Sequence, residues 1–167
     1  MPKLDIIVTH FEESESEIEP FFTMLKNQQG VDFNDITVTV VDAGGRHPVI
    51  PYHAARIIGI TDGTPGKARN AGFDATCSPW VMFCDCDDMF ADVCALSSIL
   101  ENIPTDDCDV IWSRTLIQTK RGDNEMIFMP IDDMDFTSTN GKIYRRKILE
   151  DNVIDFPVYA KYDYKEI

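Results

Sequence analysis

The chain has 167 residues, of which 44% are apolar and 26% charged, and this ordinary globular composition excludes a disordered chain. Its net charge of −14 opposes nucleic acids and anionic membranes as general partners, and no apolar run approaches the roughly 20 residues of a transmembrane helix. Since the N-terminus also lacks a signal-peptide pattern, we expect a cytoplasmic protein with no transmembrane segment and no nucleic-acid partner, folded as one domain over residues 1–167.

The first half of the chain alternates between predicted strands and predicted helices. Short apolar or β-branched runs predict strands at 4–8, 36–41, 56–60 and 80–84. A capping box at 14–17 predicts a first helix that ends near Gly30 and carries one apolar stripe (Ile18, Phe21, Phe22, Leu25). Thr64 as N-cap and Pro65 in the first turn predict a second helix over 65–75.

The second half contains a third helix, two further strands and a basic element near the C-terminus. The third helix is predicted at about 92–102, and the strands at 110–117 and 126–130. Residues 143–150 are predicted to be helical, with the basic run 145–147 exposed on the helix surface. This alternation predicts an α/β fold with a mainly parallel central sheet and flanking helices.

The five cysteines give no sign of a disulfide framework or a zinc site. Their number is odd, and no two of them have Cys-x-x-Cys spacing (Cys77, Cys84, Cys86, Cys94, Cys108). We therefore expect reduced, partly buried thiols.

Three aspartates follow the predicted strand 80–84 directly (Asp85, Asp87, Asp88). Carboxylates at the end of a buried strand repel one another, and leaving them unpaired costs free energy. A hard cation such as Mg²⁺ or Mn²⁺ removes that cost, and Mg²⁺ sites typically combine one or two carboxylates with substrate phosphates. The alternative is an acidic cap for the next helix, but one aspartate would suffice for a cap. The pattern therefore favours a metal site.

Polar side chains occupy the ends of three predicted strands. Thr9-His10-Phe11 follows the first strand, Asp42 the second and the aspartate group the fourth. In a parallel sheet, ligands bind beyond the carboxyl ends of the strands. Residues from three separate segments are therefore expected to meet at one edge, whereas His47 and His53 have no such support.

Four segments of the chain together resemble the GT-A-type glycosyltransferases, and more narrowly the inverting family 2 of bacterial polysaccharide-type enzymes. They are a strand end at 41–45, the helix start Gly-Lys-Ala-Arg-Asn-Ala-Gly at 66–72, the strand end Asp-Cys-Asp-Asp at 85–88 and a basic segment at 140–149. The resemblance implies the Rossmann-like GT-A nucleotide-diphospho-sugar transferase fold, in a C-terminally short form. It also implies a metal-dependent enzyme that transfers a sugar from a nucleotide-diphosphate donor to an acceptor hydroxyl with inversion.

The resemblance also implies roles for individual residues. The nucleotide-sugar site would consist of Thr9, His10, Phe11, Asp42, Arg69, Asn70 and Asp85. Within it, Asp42 would accept hydrogen bonds from the base or ribose, and Arg69 would pair with the aspartates or the base. Asp87, together with Asp85, would bind Mn²⁺ or Mg²⁺ at the diphosphate, and Asp88 would orient the metal ligand or the sugar.

The general base of an inverting transfer is less well matched. In the family this carboxylate follows a Phe-Pro segment, here 156–157, and Asp163 is the nearest candidate, with weaker ones earlier in the chain (Asp132, Asp133, Asp135). The resemblance places the nucleotide-binding part at about 1–90 and the acceptor-side part at about 91–167. It implies a UDP-sugar as donor and leaves the acceptor open among a glycan, a lipid-linked sugar and a protein.

Two other classes of protein remain open from the sequence. A glycosyltransferase-like module could bind a nucleotide sugar without catalysis, and the absence of the C-terminal helices that commonly build the acceptor site favours this alternative. A haloacid-dehalogenase-like phosphatase would also place Asp-x-Asp after a buried strand, although that class has Thr or Val where Met89 lies.

Overall fold

Eight strands and four α-helices form in the part of the chain that the computed structural model describes, namely residues 1–46, 48–50, 52, 55–61, 63–103, 108–121, 125–130 and 139–158. The strands are β1 (Leu4–His10), β2 (Ile36–Asp42), β3 (Arg56–Gly59), β4 (Trp80–Asp85), β5 (Val110–Trp112), β6 (Leu116–Arg121), β7 (Glu125–Pro130) and β8 (Lys142–Arg145). The helices are α1 (Glu15–Lys26), α2 (Pro65–Asp74), α3 (Ala95–Asn102) and α4 (Arg146–Asp151), and a short 3₁₀ helix at Phe33–Asp35 precedes β2. None of the described helices combines the length and the apolar surface that crossing a lipid bilayer requires.

Six of the strands form one mainly parallel sheet in the order β3-β2-β1-β4-β8-β5. β1 pairs in parallel with both β2 and β4, and β2 pairs in parallel with β3. β8 is antiparallel to both β4 and β5, whereas β6 and β7 form a separate antiparallel ribbon. The predicted α/β fold with a mainly parallel central sheet and flanking helices is confirmed.

Helices pack on both faces of the sheet, because successive side chains of a strand point to opposite faces. On one face, Ile6 of β1 lies in a cluster that includes Phe21 of α1 and Leu96 of α3. On the other face, Ile7 of β1 lies in a cluster that includes Ala68 of α2. Since both faces are covered, the central strands are apolar along most of their length, as parallel strands in α/β proteins are.

The two predicted helix starts are confirmed by their capping contacts. At the start of α1, the Ser14 backbone N–H donates to Oε2 of Glu17 at 2.7 Å, and the reciprocal bond completes a capping box. At the start of α2, Oγ1 of Thr64 accepts a hydrogen bond from the backbone N–H of Lys67 at 3.3 Å, and Pro65 occupies the first helical position. These local contacts explain why the sequence located both helices.

Two predictions for the middle of the chain are wrong in their boundaries. The single strand predicted at 110–117 is divided between β5, which pairs in the main sheet, and β6, which pairs in the ribbon. The helix predicted from about residue 92 begins at Ala95. Gln28 binds both sides of this start: its side chain donates to the Asp92 carbonyl oxygen and accepts from the Leu96 backbone N–H, both at 2.8 Å.

The prediction of a helix over 143–150 is wrong in its first part. Residues 142–145 form β8, in which Ile143 is fully buried between β4 and β5. Helix α4 begins only at Arg146, which is buried instead of exposed and forms an ion pair with Asp5 at 3.1 Å. Of the basic run 145–147, only Lys147 is exposed.

Candidate functional site

A cavity of about 250 Å³ lies at the carboxyl ends of β1 and β4. The parallel register places Thr9 beside Asp85, so both strands end at the same edge of the sheet. Six residues that the sequence predicted for the site line this cavity: Thr9, His10, Phe11, Arg69, Asp85 and Asp87. The other lining residues are Glu13, Ala43, Pro65 and Ala68.

The carboxylate of Asp85 joins β1 to α2 within the cavity. Its Oδ1 accepts a hydrogen bond from Oγ1 of Thr9 at 2.7 Å and another from the Arg69 guanidinium at 2.8 Å. The Arg69 side chain is only 16% exposed, and its Nε is buried without a hydrogen-bond partner among the described residues. Because a buried donor without a partner is costly, Arg69 is suited to bind a polar or anionic ligand.

The surroundings of Asp87 and Asp88 disfavour the negatively charged form of both side chains. Burial raises the pKa of Asp87, and the carboxylates of Asp85 and Glu13 raise it further. Burial, followed by the charges of Asp85 and Asp87, raises the pKa of Asp88 to about 6. The Asp88 backbone N–H donates to the Asp85 carbonyl oxygen at 3.1 Å, so one tight turn carries the three aspartates. Asp87 lines the cavity, whereas Asp88 is not among its lining residues.

The chemistry of these carboxylates suits a divalent cation. Their raised pKa values indicate negative charge that is not fully balanced, and Arg69 is already paired with Asp85. No group of three or more His, Cys, Asp or Glu side chains within the described ranges is arranged to hold a metal ion by itself. The carboxylates therefore fit a hard cation that takes one or two protein oxygens and obtains its other ligands from a phosphate-bearing molecule and water.

Cys86, between Asp85 and Asp87, is a buried free thiol, and all five cysteines are free, although Cys77 and Cys94 are exposed instead of partly buried. Burial raises the pKa of Cys86, and the charge of Glu13 raises it further. The protonated thiol forms a hydrogen bond with the Glu13 carboxylate, which also accepts from the Phe11 backbone N–H at 2.7 Å. These bonds fix Glu13 in the cavity wall, a position that the sequence reasoning did not predict.

Asp42 lies behind the cavity and does not form part of its lining. Its side chain is fully buried, and its Oδ1 is 3.1 Å from Nδ1 of His10. The other ring nitrogen of His10, Nε2, is 3.0 Å from the carbonyl oxygen of Glu13. Both ring nitrogens of His10 therefore face oxygen atoms, which fixes the orientation of the ring. The structure thus places His10 in the lining of the cavity and Asp42 against the His10 ring.

The residues of the helix start at 66–72 have separate physical roles. Arg69 reaches the cavity, whereas Asn70 accepts a hydrogen bond from the Phe156 backbone N–H at 2.9 Å and donates to the Phe156 carbonyl oxygen at 3.1 Å. A Cβ atom at Gly66 would overlap the carbonyl oxygen of Pro157. Gly72 allows α2 to approach the sheet, since a Cβ atom there would overlap Cγ2 of Ile7 in β1.

Phe156 is a second residue beside the site, after Glu13, that the sequence reasoning did not assign to it. Its ring lies 4.8 Å from the ring of Phe83, and the Arg69 guanidinium lies 5.5 Å from its centroid. The Phe-Pro pair was a signal for this position, although the sequence linked it only to the general base. The general-base candidates and two of the histidines lie outside the described residues: Asp132, Asp133, Asp135, Asp163, His47 and His53.

Comparison with solved structures identifies proteins with a similar fold. TarS 1-349 from S. aureus has a TM-score of 0.70 and 23% identity over 96% of this chain and 52% of that chain, and its complex with UDP-GlcNAc has a TM-score of 0.66 and 23% identity over 93% and 48%. The mannosyltransferase PcManGT from Pyrobaculum calidifontis, in complex with GDP-Man and Mn²⁺, has a TM-score of 0.64 and 14% identity over 97% and 49%. The chain therefore spans about half the length of these proteins.

The sequence comparisons are more specific about family. A search of the curated proteins gave no match. The sequence model of glycosyl transferase family 2, however, matches residues 5–157, a range that includes every residue lining the cavity. With its GT-A-type α/β fold, the chain belongs to glycosyl transferase family 2.

Proposed function

We propose that this protein transfers a sugar from a nucleotide-diphosphate donor to an acceptor hydroxyl, with inversion and with the help of Mn²⁺ or Mg²⁺. The observation that carries the proposal is the meeting of Arg69, Asp85 and Asp87 in one cavity at the carboxyl ends of β1 and β4. In α/β sheets this edge is where nucleotides bind. We further propose that residues of about 1–90 bind the nucleotide and that those of about 91–167 form the acceptor side.

The donor side of the proposal depends on polar groups around the cavity. Arg69 would bind an anionic or polar part of the donor through its guanidinium, which Asp85 holds in place. Thr9, His10 and Phe11 would contact the nucleotide, and their position in the cavity supports this assignment. We propose a UDP-sugar, since TarS, which is more similar in sequence than PcManGT, was solved with UDP-GlcNAc.

The metal side of the proposal depends on the aspartates. Asp87 and Asp85 would hold the cation, and Asp88 would keep their turn in place. When bound, the cation would act as a Lewis acid that neutralises the diphosphate leaving group. The protein itself contributes Arg69 and a partly buried cavity, in which electrostatic interactions are stronger than in bulk water.

The acceptor side is supported by the course of the chain. Pro157 lies against Gly66 at the start of α2, next to the lining residue Pro65. The chain therefore leaves the described region beside the cavity, which supports Asp163 as the general base that takes the proton of the acceptor hydroxyl. The acceptor is proposed as a glycan, a lipid-linked sugar or a protein.

Ligand-dependent stabilisation tests the proposal directly. UDP, GDP, UDP-sugars and GDP-sugars would be added with and without Mn²⁺ while the unfolding temperature is recorded. A ligand at a hundredfold excess over its Kd stabilises the folded state by about 2.7 kcal/mol, which is a readily measured shift. We expect a shift with UDP ligands that is larger with Mn²⁺, and absence of any nucleotide-dependent shift would contradict the proposal.

Two variants make this test specific. Asp87→Asn removes a carboxylate from the cavity and should lower the Mn²⁺-dependent affinity for UDP by about tenfold or more. The matched control is Asp92→Asn, an exposed aspartate shortly after the same turn, which should leave the affinity unchanged. Nucleotide binding without transfer to any acceptor or to water would support the non-catalytic alternative. The phosphatase alternative predicts hydrolysis of simple phosphomonoesters, and membership of family 2 argues against it.

A further inference from the structure

The segment at residues 154–158, which we call the strap, runs from the end of α4 to the start of α2. The side chain of Asn70 binds both backbone groups of one strap residue, Phe156. It accepts from the Phe156 N–H at 2.9 Å and donates to the Phe156 carbonyl oxygen at 3.1 Å. A side-chain amide that satisfies both backbone groups of one residue fixes the position of that residue and its orientation.

The strap places an aromatic ring against the core and beside Arg69. The Phe156 ring packs edge-on against Phe83 of β4, with centroids 4.8 Å apart. The Arg69 guanidinium lies 5.5 Å from the Phe156 centroid, within the range of a cation–π interaction. Phe156 therefore contacts the one side chain of α2 that pairs with Asp85 in the cavity.

The start of α2 is shaped to receive the strap. A Cβ atom at Gly66 would overlap the carbonyl oxygen of Pro157, so only glycine permits this approach without a shift of the backbone. Gly66, Arg69 and Asn70 are three or four residues apart and so lie on one side of the helix. All three contact the strap, which makes it part of the wall around Arg69.

We propose that Phe156 is a positioning residue for Arg69 and that Asn70 and Gly66 hold Phe156 in place for this role. The inference deepens the proposed function, on which its consequence for donor binding rests. Asp85 binds one end of the guanidinium, whereas the Phe156 ring lies 5.5 Å from its central carbon, and Nε is buried.

The first readout requires no ligand. The Nε–Hε signal of Arg69 in nitrogen-15 NMR spectra can be assigned by its loss in Arg69→Lys, and its hydrogen exchange should be slow because Nε is buried. Asn70→Ala removes both bonds to the strap, and Phe156→Leu keeps the apolar contact but removes the aromatic face. We expect exchange of the Arg69 Nε–H to become about tenfold faster in each variant, because Arg69 loses either the fixed position of Phe156 or its aromatic face.

Further variants separate positioning from general destabilisation. Phe156→Tyr retains the aromatic ring, and exchange of the Arg69 Nε–H should stay slow in this variant. Gly66→Ala should act like Asn70→Ala, because it displaces Pro157. Asn152→Ala is the matched control, since it removes a side-chain bond to the Ile148 carbonyl oxygen in α4 and should leave the Arg69 signal unchanged. Unchanged Arg69 exchange in folded Asn70→Ala and Phe156→Leu would overturn the proposal, and the milder Phe156→Leu serves if Asn70→Ala does not fold.

The second readout is the affinity for UDP in the presence of Mn²⁺. If the strap positions Arg69 for the donor, Asn70→Ala and Phe156→Leu should each raise the Kd about tenfold, with Phe156→Tyr near wild type. Faster exchange of the Arg69 Nε–H in the variants of a protein that binds no nucleotide would support the positioning role of Phe156 and contradict the proposed function. If the protein binds UDP and its variants exchange the Arg69 Nε–H as slowly as the wild type, the positioning role of Phe156 is contradicted and the proposed function is unaffected.

Discussion

The carboxylate of Asp5 and the guanidinium of Arg146 form a buried ion pair 3.1 Å apart, although 141 residues separate them along the chain. Arg146 also donates to the Ser78 carbonyl oxygen at 2.8 Å and to Oγ1 of Thr76 at 2.7 Å. Asp5 accepts from the Ser78 backbone N–H at 2.6 Å. The pair thus connects β1, the end of α2 and α4 near the amino end of β1, opposite the candidate site.

Substitution of Arg146 should strongly destabilise the fold. Arg146→Leu would leave the buried Asp5 carboxylate without its cation, and breaking a buried pair in this way typically costs about 3–5 kcal/mol. Urea unfolding would measure the change. Lys147→Leu is the matched control, because Lys147 is exposed and its pair with Asp151 lies in solvent. Equal effects of the two substitutions would contradict a stabilising role for the Asp5–Arg146 pair.

Val153 should be a site at which glycine stabilises the protein. Its φ is 51°, a left-handed conformation that is unfavourable for a β-branched residue. Val153 lies two residues after the last residue of α4. The Val153 and Ile154 N–H groups donate to the carbonyl oxygens of Glu150 and Leu149 and so close the end of the helix. Because Val153 is 81% exposed, little packing is lost in Val153→Gly, and we expect a gain of about 1 kcal/mol. Chemical denaturation would measure it, and Val153→Ala should gain less; a loss of stability in Val153→Gly would contradict this account.

The stability of the metal-free protein should depend on the ionisation of Asp88. Its pKa is about 6 in the folded protein, because burial and then Asp85 and Asp87 disfavour the charged form. An aspartate in an unfolded chain titrates near pH ~4. Its contribution to stability is therefore present below about pH 4 and is lost as the pH rises through about 6.

Asp88→Asn removes this titration. In the presence of a chelator, we expect its unfolding temperature to rise relative to that of the wild type as the pH increases from about 4 to about 7. Thermal unfolding of both proteins across this range is the measurement. If the difference in unfolding temperature between the two proteins does not change with pH, the surroundings of Asp88 do not raise its pKa.

Gly72→Ala should destabilise the protein even though alanine favours helices. Alanine in a helix gains up to about 1 kcal/mol over glycine. A Cβ atom at Gly72, however, would overlap Cγ2 of Ile7 and lie 3.1 Å from Cγ2 of Val41, so α2 must move away from the sheet. We expect a net cost of about 1–3 kcal/mol by urea unfolding. Asp74→Ala, an exposed position in the same helix, is the control, and a net stabilisation by Gly72→Ala would refute the close packing.

The elements that the sequence located are those with local signals. Ser14 and Glu17 marked the start of α1, and Thr64 with Pro65 marked the start of α2, because a capping contact joins residues that are close in sequence. β8 had no such signal. Its residues are followed directly by α4, and its strand conformation results from pairing with β4 and β5, which lie far away in sequence.

The candidate site shows the same division. The sequence by itself determined that polar residues lie at the carboxyl ends of β1 and β4 and that Arg69 belongs to the motif at the start of α2, because these are properties of short segments. Only the tertiary structure decided that Asp42 lies behind His10, that Asn70 holds Phe156 and that Arg146 is buried on Asp5. Each of these contacts joins residues more than thirty positions apart. Periodicity and capping carry no information about such partners, since the free energy of each contact exists only once the sheet has assembled.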